Sequence, residues 1–368
     1  MPNRPVAVIK LGSNAVLDAA GRLDLAFLDR VAGQLAAVVA GGWRPVLVSS
    51  GAVASGRGLV DAPRTGCLGE RQALAAIGQA TLMHRWQVAL AGHGLIGAQV
   101  LLTGTDFELR ERYLNLTATF RSLFMLAAVP IVNENDTVSV EELTFGDNDR
   151  LSALVASQLG AHKLVLLTDI DGVYDADPRH HPDAKLLTAV DAVTPAMLAA
   201  AGEAGAHGTG GMRSKLAAAQ LAADAGVMVH IGHARKVAID ACVLSDQVAG
   251  TTIAPHPEGR RSSLRRWLGM TRVDAGAITI DAGAQRALSA EGCSLLPAGI
   301  TAVAGDFARG DTVRILAADG TEVARGMASL SAQELQRVTG QRMDEAEQTL
   351  GHALPKAAVH RDHLLLAD

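Results

Sequence analysis

Val6-Ala-Val-Ile-Lys10-Leu-Gly12-Ser13-Asn14 opens the pattern that decides the fold. A near-continuous aliphatic run ends in a lysine and gives way to a glycine and small polar residues. A run without alternation suits a strand buried on both faces, as in a parallel sheet. Further runs follow at Pro45–Ser49, Ile96–Leu102, Val129–Asn133, Leu164–Thr168 and Val227–Ile231. Between them stand helical patterns at Asp24–Ala40, Glu70–Ala91, Arg110–Ala127, Arg150–Leu159 and Met212–Ala225. This β-α-β rhythm predicts an open, mainly parallel α/β sheet sandwiched by helices, with right-handed crossovers. Ligands bind such sheets at the carboxyl ends of the strands. The residues that follow each strand are therefore the candidates for chemistry.

The rhythm stops near residue 253. Pro255 to Trp267 is rich in turn formers and carries four arginines, so 254–273 is expected to be a linker between a domain at 1–253 and another at 274–368. The latter shows short alternating strands at Ala277–Ile280, Ile300–Val303, Thr312–Leu316 and Glu322–Met327, with helical patterns at Ser331–Val338 and Met343–Leu350. Gly and Asp turns between the strands predict a small β-barrel. A chain of 368 residues and 38.1 kDa fits two or three domains.

Composition narrows the function. Hydrophobic residues at 49% and charged residues at 19% exclude a disordered chain. Aromatics at 3% disfavour proteins that stack bases on aromatic platforms. The apolar run Leu123–Val132 contains Pro130 and is far shorter than the roughly 18–20 residues a bilayer span needs. The first ten residues lack the apolar core of a signal peptide. Cys67, Cys242 and Cys293 are scattered and odd in number, which argues against a disulfide framework or a zinc ribbon and points to the cytoplasm. The net charge is −5, and residues 273–368, with eight basic and thirteen acidic side chains, account for it. Neither part has the charge of a general nucleic-acid binder.

At the strand ends, Lys10 with Gly12 and Ser13, and Ser49-Ser50-Gly51-Ala52, place a cation and backbone amides where an anion such as phosphate could sit. Asn133-Glu-Asn135-Asp136 and Gly146-Asp147-Asn148-Asp149 gather carboxylates and amides that could grip an α-amino group, a metal or a cationic side chain. Taken alone, Asp147-Asn148-Asp149 also reads as a helix N-cap. Thr168-Asp169-Ile-Asp171-Gly172 is not a calcium loop, because His180 stands at the last loop position; it suits the border of a nucleotide site. Gly208-Thr209-Gly210-Gly211-Met212-Arg213-Ser214-Lys215 opens an Ala-rich helix. Its glycines, helix N-terminus and lysine suit phosphate, without Walker A spacing. His360-Arg361-Asp362 and Asp306-Phe307 echo protein-kinase motifs in reversed order, and Ala308 stands where glycine belongs.

Taken in order, these motifs resemble the amino acid kinase family along essentially the whole chain, and within it the kinases that phosphorylate the γ-carboxylate of L-glutamate at the start of proline synthesis. The feature that separates them is Asn133-Glu-Asn-Asp136 with Gly146-Asp-Asn-Asp149. Ser49 and Ser214 depart from a more usual Thr. The tail, with Ser294-Leu-Leu-Pro-Ala-Gly299 and Phe307-Ala-Arg-Gly310-Asp311, resembles a PUA domain. The resemblance implies the amino acid kinase fold, ATP and Mg²⁺, and phosphoryl transfer with Lys10, Lys215 and Asp149 as catalytic residues. It implies a glutamate site of Ser50, Gly51, Asn135, Asp136, Asp147 and Asn148. It implies an ATP site of Lys10, Gly12, Thr168, Asp169 and Thr209 to Lys215 (Thr209, Gly210, Gly211, Met212, Arg213, Ser214, Lys215). The metal is expected on the ATP phosphates, without protein ligands.

The chemistry agrees, since a carboxylate is already a nucleophile and needs two anions held in line with their charge neutralised. Gly12 and Gly51 are expected to donate backbone amides. The resemblance further implies proline as a feedback inhibitor, a homodimer or homotetramer, and hand-over of a labile product to a glutamyl-phosphate reductase. Two other readings stay open on these residues. One is a family kinase with a different acceptor. The other is an RNA-binding protein acting through its tail, which the tail's acidity disfavours.

Overall fold

The computed structural model describes residues 4–60, 67–139, 147–178, 181, 183–201, 211–245, 249–257, 259 and 276–367. Gly146, His180, Gly208, Thr209, Gly210 and the arginine-rich part of the linker lie outside the described residues, as does the side chain of Asp147. The chain divides into two compact units, Met1–Asp106 with Glu111–Arg260, and Phe107–Arg110 with Arg261–Asp368.

The first unit is built on an eight-stranded sheet. Its strands are β1 (Val6–Leu11), β2 (Arg44–Ser49), β3 (Ile96–Leu102), β4 (Ala128–Glu134), β5 (Lys163–Thr168), β6 (Ala189–Val190), β7 (Met228–His233) and β8 (Thr251–Ile253). They lie in the order β3-β4-β2-β1-β5-β7-β8-β6. Pairing is parallel throughout except between β7 and β8. The helices up to β8 are α1 (Leu25–Ala40), α2 (Ala52–Arg57), α3 (Leu68–Gly92), α4 (Thr105–Glu108), α5 (Arg110–Met125), α6 (Asp147–Leu159), α7 (Pro195–Ala200), α8 (Met212–Asp224) and α9 (Ile239–Leu244), of which the end of α4 and Arg110 of α5 group with the second unit.

Side-chain alternation along β1 explains where the site forms. Successive residues of a strand face opposite sides of the sheet. Ala7, Ile9 and Leu11 join a core with α1, α3 and α9, through Phe27, Val31, Leu35, Leu82, Trp86 and Val243. Val8 and Lys10 therefore face the other side, where α6 packs against β1 and α8 packs against α6. Lys10 enters an apolar layer at the open end of that face.

Register brings the strand ends together. Leu11 pairs with Ser49 on one side and Leu167 on the other, and Thr168 pairs with His233. Gly51 follows β2 at φ +119°, a left-handed conformation that a side chain disfavours. α2 then crosses α3 at backbone contact: a Cβ on Gly78 would lie 1.9 Å from the Ala52 carbonyl oxygen. This crossing draws α3 over the ends of β2 and β4.

The second unit holds β9 (Gly276–Ile280), β10 (Ile300–Gly305), β11 (Thr312–Leu316), β12 (Glu322–Ala328) and β13 (Val359–Leu366), in the order β10-β9-β11-β12-β13. Only β9 and β11 pair in parallel. Ile278, Leu288, Phe307, Val313, Ile315, Leu335 and Val338 form its core. Phe307 is thus a packing residue, and the kinase-like Asp306-Phe307 echo has a structural explanation.

The structure departs from the sequence reading in several places. α2, α7 and α9 span six residues each, too few for a helical period to register. β13 was hidden by His360-Arg361-Asp362-His363, which interrupts its apolar residues. α6 begins at Asp147 rather than Arg150, so Asp147-Asn148-Asp149 form its first turn rather than a cap before it. The described linker residues begin docked: the His256 amide bonds the Ala223 carbonyl at the end of α8.

Candidate functional site

The centre of the site is a buried charge triad at the carboxyl end of β1. Lys10 Nζ lies 2.5 Å from Asp149 Oδ1, and Lys215 Nζ lies 3.3 Å from Asp149 Oδ2. The Ser214 hydroxyl donates to the same Oδ2 at 3.0 Å. Lys10 and Lys215 are each 6% exposed and Asp149 only 1%. Three elements supply these groups: the penultimate residue of β1, and the first turns of α6 and α8. Two ammonium groups and one carboxylate leave the triad one positive charge in excess. Burial pushes the Lys10 ammonium below its ordinary value of 10.5, against the pull of Asp149. Burial opposes ionisation of Asp149 too, but the two lysines and Ser214 outweigh it and hold the carboxyl below its ordinary range. Such a centre is completed by an anion.

On one side of β1, over β2 and β4, an amide network forms. Asn148 Nδ2 donates to Ser50 Oγ at 2.7 Å and to Asn133 Oδ1 at 2.9 Å. Asn133 Oδ1 and Asn148 Oδ1 both accept from the Glu134 backbone amide, at 3.0 and 3.3 Å. Ser50 Oγ accepts from Asn148, and among the described residues its own proton has no acceptor. Ser50 is thereby set to donate to a carboxylate. Asn135 and Asp136 follow β4, half-buried. The Asn135 side chain accepts from the Thr137 hydroxyl at 2.6 Å, which shapes the turn.

On the other side, over β5, the Thr168 hydroxyl donates to Asp169 Oδ1 at 2.9 Å and Asn14 donates to Oδ2 at 3.1 Å. Burial disfavours the Asp169 charge, but these two bonds outweigh it and the carboxyl sits below its ordinary range. Gly211 caps the N-terminus of α8, so the amides of Met212, Arg213 and Ser214 and the positive end of the helix open beside Lys215. Arg213 is exposed.

One expectation is corrected. The Gly12 amide does not point at a ligand; it donates to the Leu167 carbonyl at 3.2 Å, continuing the β1–β5 pairing one residue past the strand. Gly12 instead lies near the Lys10 ammonium: a Cβ there would stand 3.6 Å from Nζ. Among the described residues, no three carboxylate, His or Cys side chains converge into a metal cage.

Sequence reasoning singled out Lys10, Lys215, Asp149, Ser50, Asn148, Thr168, Asp169 and Ser214, and the structure brings these to one edge. It did not assign roles to Asn133, Asn14, Gln79 or Trp86. Asn133 and Asn14 lay within quoted motifs but carried no distinguishing pattern. Gln79 had a signal: it sits between Ala75 and Leu82–Met83–Trp86 on the buried face of α3, a polar residue in an apolar stripe. Trp86 Nε1 donates to the buried Ser49 hydroxyl at 2.9 Å, and Ser49 donates to the Ser50 carbonyl. The Ser49 departure therefore keeps the hydroxyl that steadies the β2 end.

The amino acid kinase family model matches residues 5–233, and the PUA domain model matches residues 276–350. The chain is similar to glutamate 5-kinases of several bacteria. It is 43% identical to that of Trichlorobacter lovleyi over 361 residues, which is 98% of this chain and 96% of the relative. It is 44% identical to that of Thermus thermophilus over 365 residues, 98% and 97% of the two chains. It is 44% identical to that of Deinococcus radiodurans over 361 residues, 98% and 99%.

Proposed function

Because the chain belongs to the amino acid kinase family and groups with its glutamate 5-kinases, we propose that it transfers the γ-phosphoryl group of ATP to the γ-carboxylate of L-glutamate, as the first step of proline synthesis. The observation that carries this reading is the Lys10–Asp149–Lys215 triad over the central strand. The Asn148–Ser50 hydrogen-bond network lies to one side and the N-terminus of α8 to the other.

Strand order β4-β2-β1-β5 sets the reaction line. Glutamate is held over β2 and β4. Ser50 donates to a carboxylate, Gly51 lets the chain turn there, and Asp136 takes the ammonium. Asn135, Asp147 and Asn148 complete that side. ATP lies over β5 and α8, bordered by Thr168, Asp169 and the segment Thr209 to Lys215. Lys10 and Lys215 then meet the transferring phosphoryl group from two sides. Their charge stabilises the equatorial oxygens, while Asp149 fixes both ammonium groups. The glutamate carboxylate attacks phosphorus, the bond to the β-phosphate oxygen breaks, and γ-glutamyl phosphate and ADP result. No general base is needed, since the nucleophile is already deprotonated.

Asp149 is taken up by the lysines and Ser214. The donor set thus fits Mg²⁺ that arrives on ATP and is held by phosphate oxygens and water. When bound, the ion adds neutralisation of phosphate charge.

The catalytic domain is taken as 1–253, the linker as 254–273 and the PUA-like domain as 274–368. The reading includes a cytoplasmic location; among the described residues no helix is long and apolar enough to cross a membrane. It includes proline as feedback inhibitor and hand-over of the labile acyl phosphate to a glutamyl-phosphate reductase. It includes a homo-oligomer, dimer or tetramer, for which the exposed Ile96, Met125 and Leu126 beside edge strand β3 are support. The acidic tail disfavours an RNA partner.

The test is ATP turnover in hydroxylamine, which traps an acyl phosphate as a hydroxamate. Free L-glutamate should yield hydroxamate, and N-acetylglutamate, aspartate and no acceptor should not. Hydroxamate from N-acetylglutamate would overturn the assignment of a free ammonium.

A further inference from the structure

Gln79 lies on α3, away from the strand ends that carry the substrate-facing residues, yet it starts the amide network. Its Oε1 accepts from Asn133 Nδ2 at 2.8 Å. Asn133 is 3% exposed, so that amide nitrogen has no ready access to water. The opposite atom, Asn133 Oδ1, accepts from Asn148 Nδ2, and Asn148 Nδ2 donates onward to Ser50 Oγ. Each link has one polarity. The Glu134 backbone amide can only donate, so both asparagine oxygens must face it and both nitrogens must face away. Asn133 Nδ2 then needs an acceptor, and Gln79 supplies it.

The α2–α3 crossing at Gly78 places Gln79 there. A second glutamine on the same helix, Gln72, donates to the Ser139 carbonyl at 3.1 Å and ties α3 to the segment after β4.

We infer that Gln79 is a positioning residue for the acceptor substrate: through Asn133 and Asn148 it holds the Ser50 hydroxyl as a donor aimed at the glutamate carboxylate. The inference rests on the reading of Ser50 as a glutamate-binding residue. Without the Gln79 acceptor, a buried amide nitrogen is orphaned. Asn133 then relieves it by turning or shifting, and Asn148 and Ser50 lose their fixed orientation. The contacts that hold the lysine triad run among Lys10, Asp149, Lys215 and Ser214, and those on the β5 side among Thr168, Asp169 and Asn14, apart from this chain of four.

The experiment is a double-mutant cycle in the full-length protein, with steady-state hydroxamate kinetics. Gln79→Met keeps the length of the side chain and removes its amide, and with it the acceptor of Asn133 Nδ2. It should raise KM for glutamate roughly five- to tenfold. The kcat and the KM for ATP should stay within about twofold, because the phosphoryl side is untouched. In the Ser50→Ala background the same substitution should change KM by less than about twofold, because the end of the chain is already gone. An unchanged glutamate KM in Gln79→Met overturns the inference, as does an equal effect in both backgrounds. If Ser50→Ala itself leaves the glutamate KM unaltered, the reading of Ser50 falls, and the inference with it.

Discussion

Replacing Asp149 by Asn isolates what the buried carboxylate does. The substitution is nearly isosteric and can still accept from Ser214, so packing is kept while one charge is removed. What remains is a pair of buried ammonium groups, each 6% exposed, with their shared counter-ion gone. Removing one partner of a buried ion pair costs about 3–5 kcal/mol. The lower end applies here, because Lys10, already pushed below its ordinary value by burial, loses the carboxylate that opposes that push and can shed its proton.

A loss of about 3 kcal/mol lowers the midpoint of a domain of this size by roughly 6–12 °C at pH 7. The pH dependence has a definite sign. A lysine whose folded pKa lies below its unfolded value binds fewer protons when folded, so stability rises with pH between the two values. Wild-type Lys10 shares this slope, but without Asp149 its value falls further, so the deficit of Asp149→Asn against wild type should narrow when the melt is repeated near pH 9.5. Scanning calorimetry at both pH values decides the matter. A variant that melts within about 2 °C of wild type at pH 7, or a deficit that does not narrow at high pH, would refute the argument that Asp149 is the counter-ion of the pair.

Two further outcomes follow from the same geometry. Lys10→Ala should lower hydroxamate turnover roughly 100–1,000-fold, the usual cost of one charge-stabilising donor, while the protein stays folded; turnover within about threefold of wild type would remove Lys10 from the mechanism. In the second unit, Glu334 accepts from Arg309 and closes a capping box with Ser331, and its carboxyl is held down to about 2. A depressed carboxyl pKa stabilises the fold above its unfolded value and loses that effect as pH falls through the folded one. Because the Arg309 pair is partly solvated, Glu334→Gln should cost only about 1 kcal/mol at pH 7. Denaturant melts should show the difference fading between pH 4.5 and about 2; a difference constant across that window would contradict the pairing.

The parallel sheet was legible because β1, β2, β4 and β5 are buried on both faces and therefore read as nearly unbroken aliphatic runs; edge strand β3 reads the same way although only its Leu102 is buried. Strand ends were legible for the same reason: Lys10, Ser50, Asn133 and Thr168 are where those runs become polar. The order of strands was not, because nothing local in the sequence says that β1 lies between β2 and β5. The triad depends on that order, and on Lys10 sharing a sheet face with Val8. Short elements escaped where fewer than two turns carry the pattern, as in α2 and α9. β13 escaped because polar residues face outward on a strand whose apolar side is only Val359 and Leu364. At the site, the residue types gave candidates but not the direction of any hydrogen bond. The Gly12 amide looked available from its position after a strand, and pairing with Leu167 consumes it. Gln79 was visible only as a polar residue on a buried helix face, a signal that names no partner.

The central claim is that a carboxylate oxygen of glutamate attacks the phosphoryl group held by the lysine triad. The direct test uses L-glutamate carrying ¹⁸O in both γ-carboxylate oxygens, with ATP, Mg²⁺ and hydroxylamine. Hydroxylamine attacks the carbonyl carbon of the acyl phosphate and expels phosphate with the bridging oxygen. Mass spectrometry of the released phosphate should find one ¹⁸O for each hydroxamate formed. Phosphate free of label, from a protein that still consumes ATP in the presence of glutamate, would show that the carboxylate is not the nucleophile.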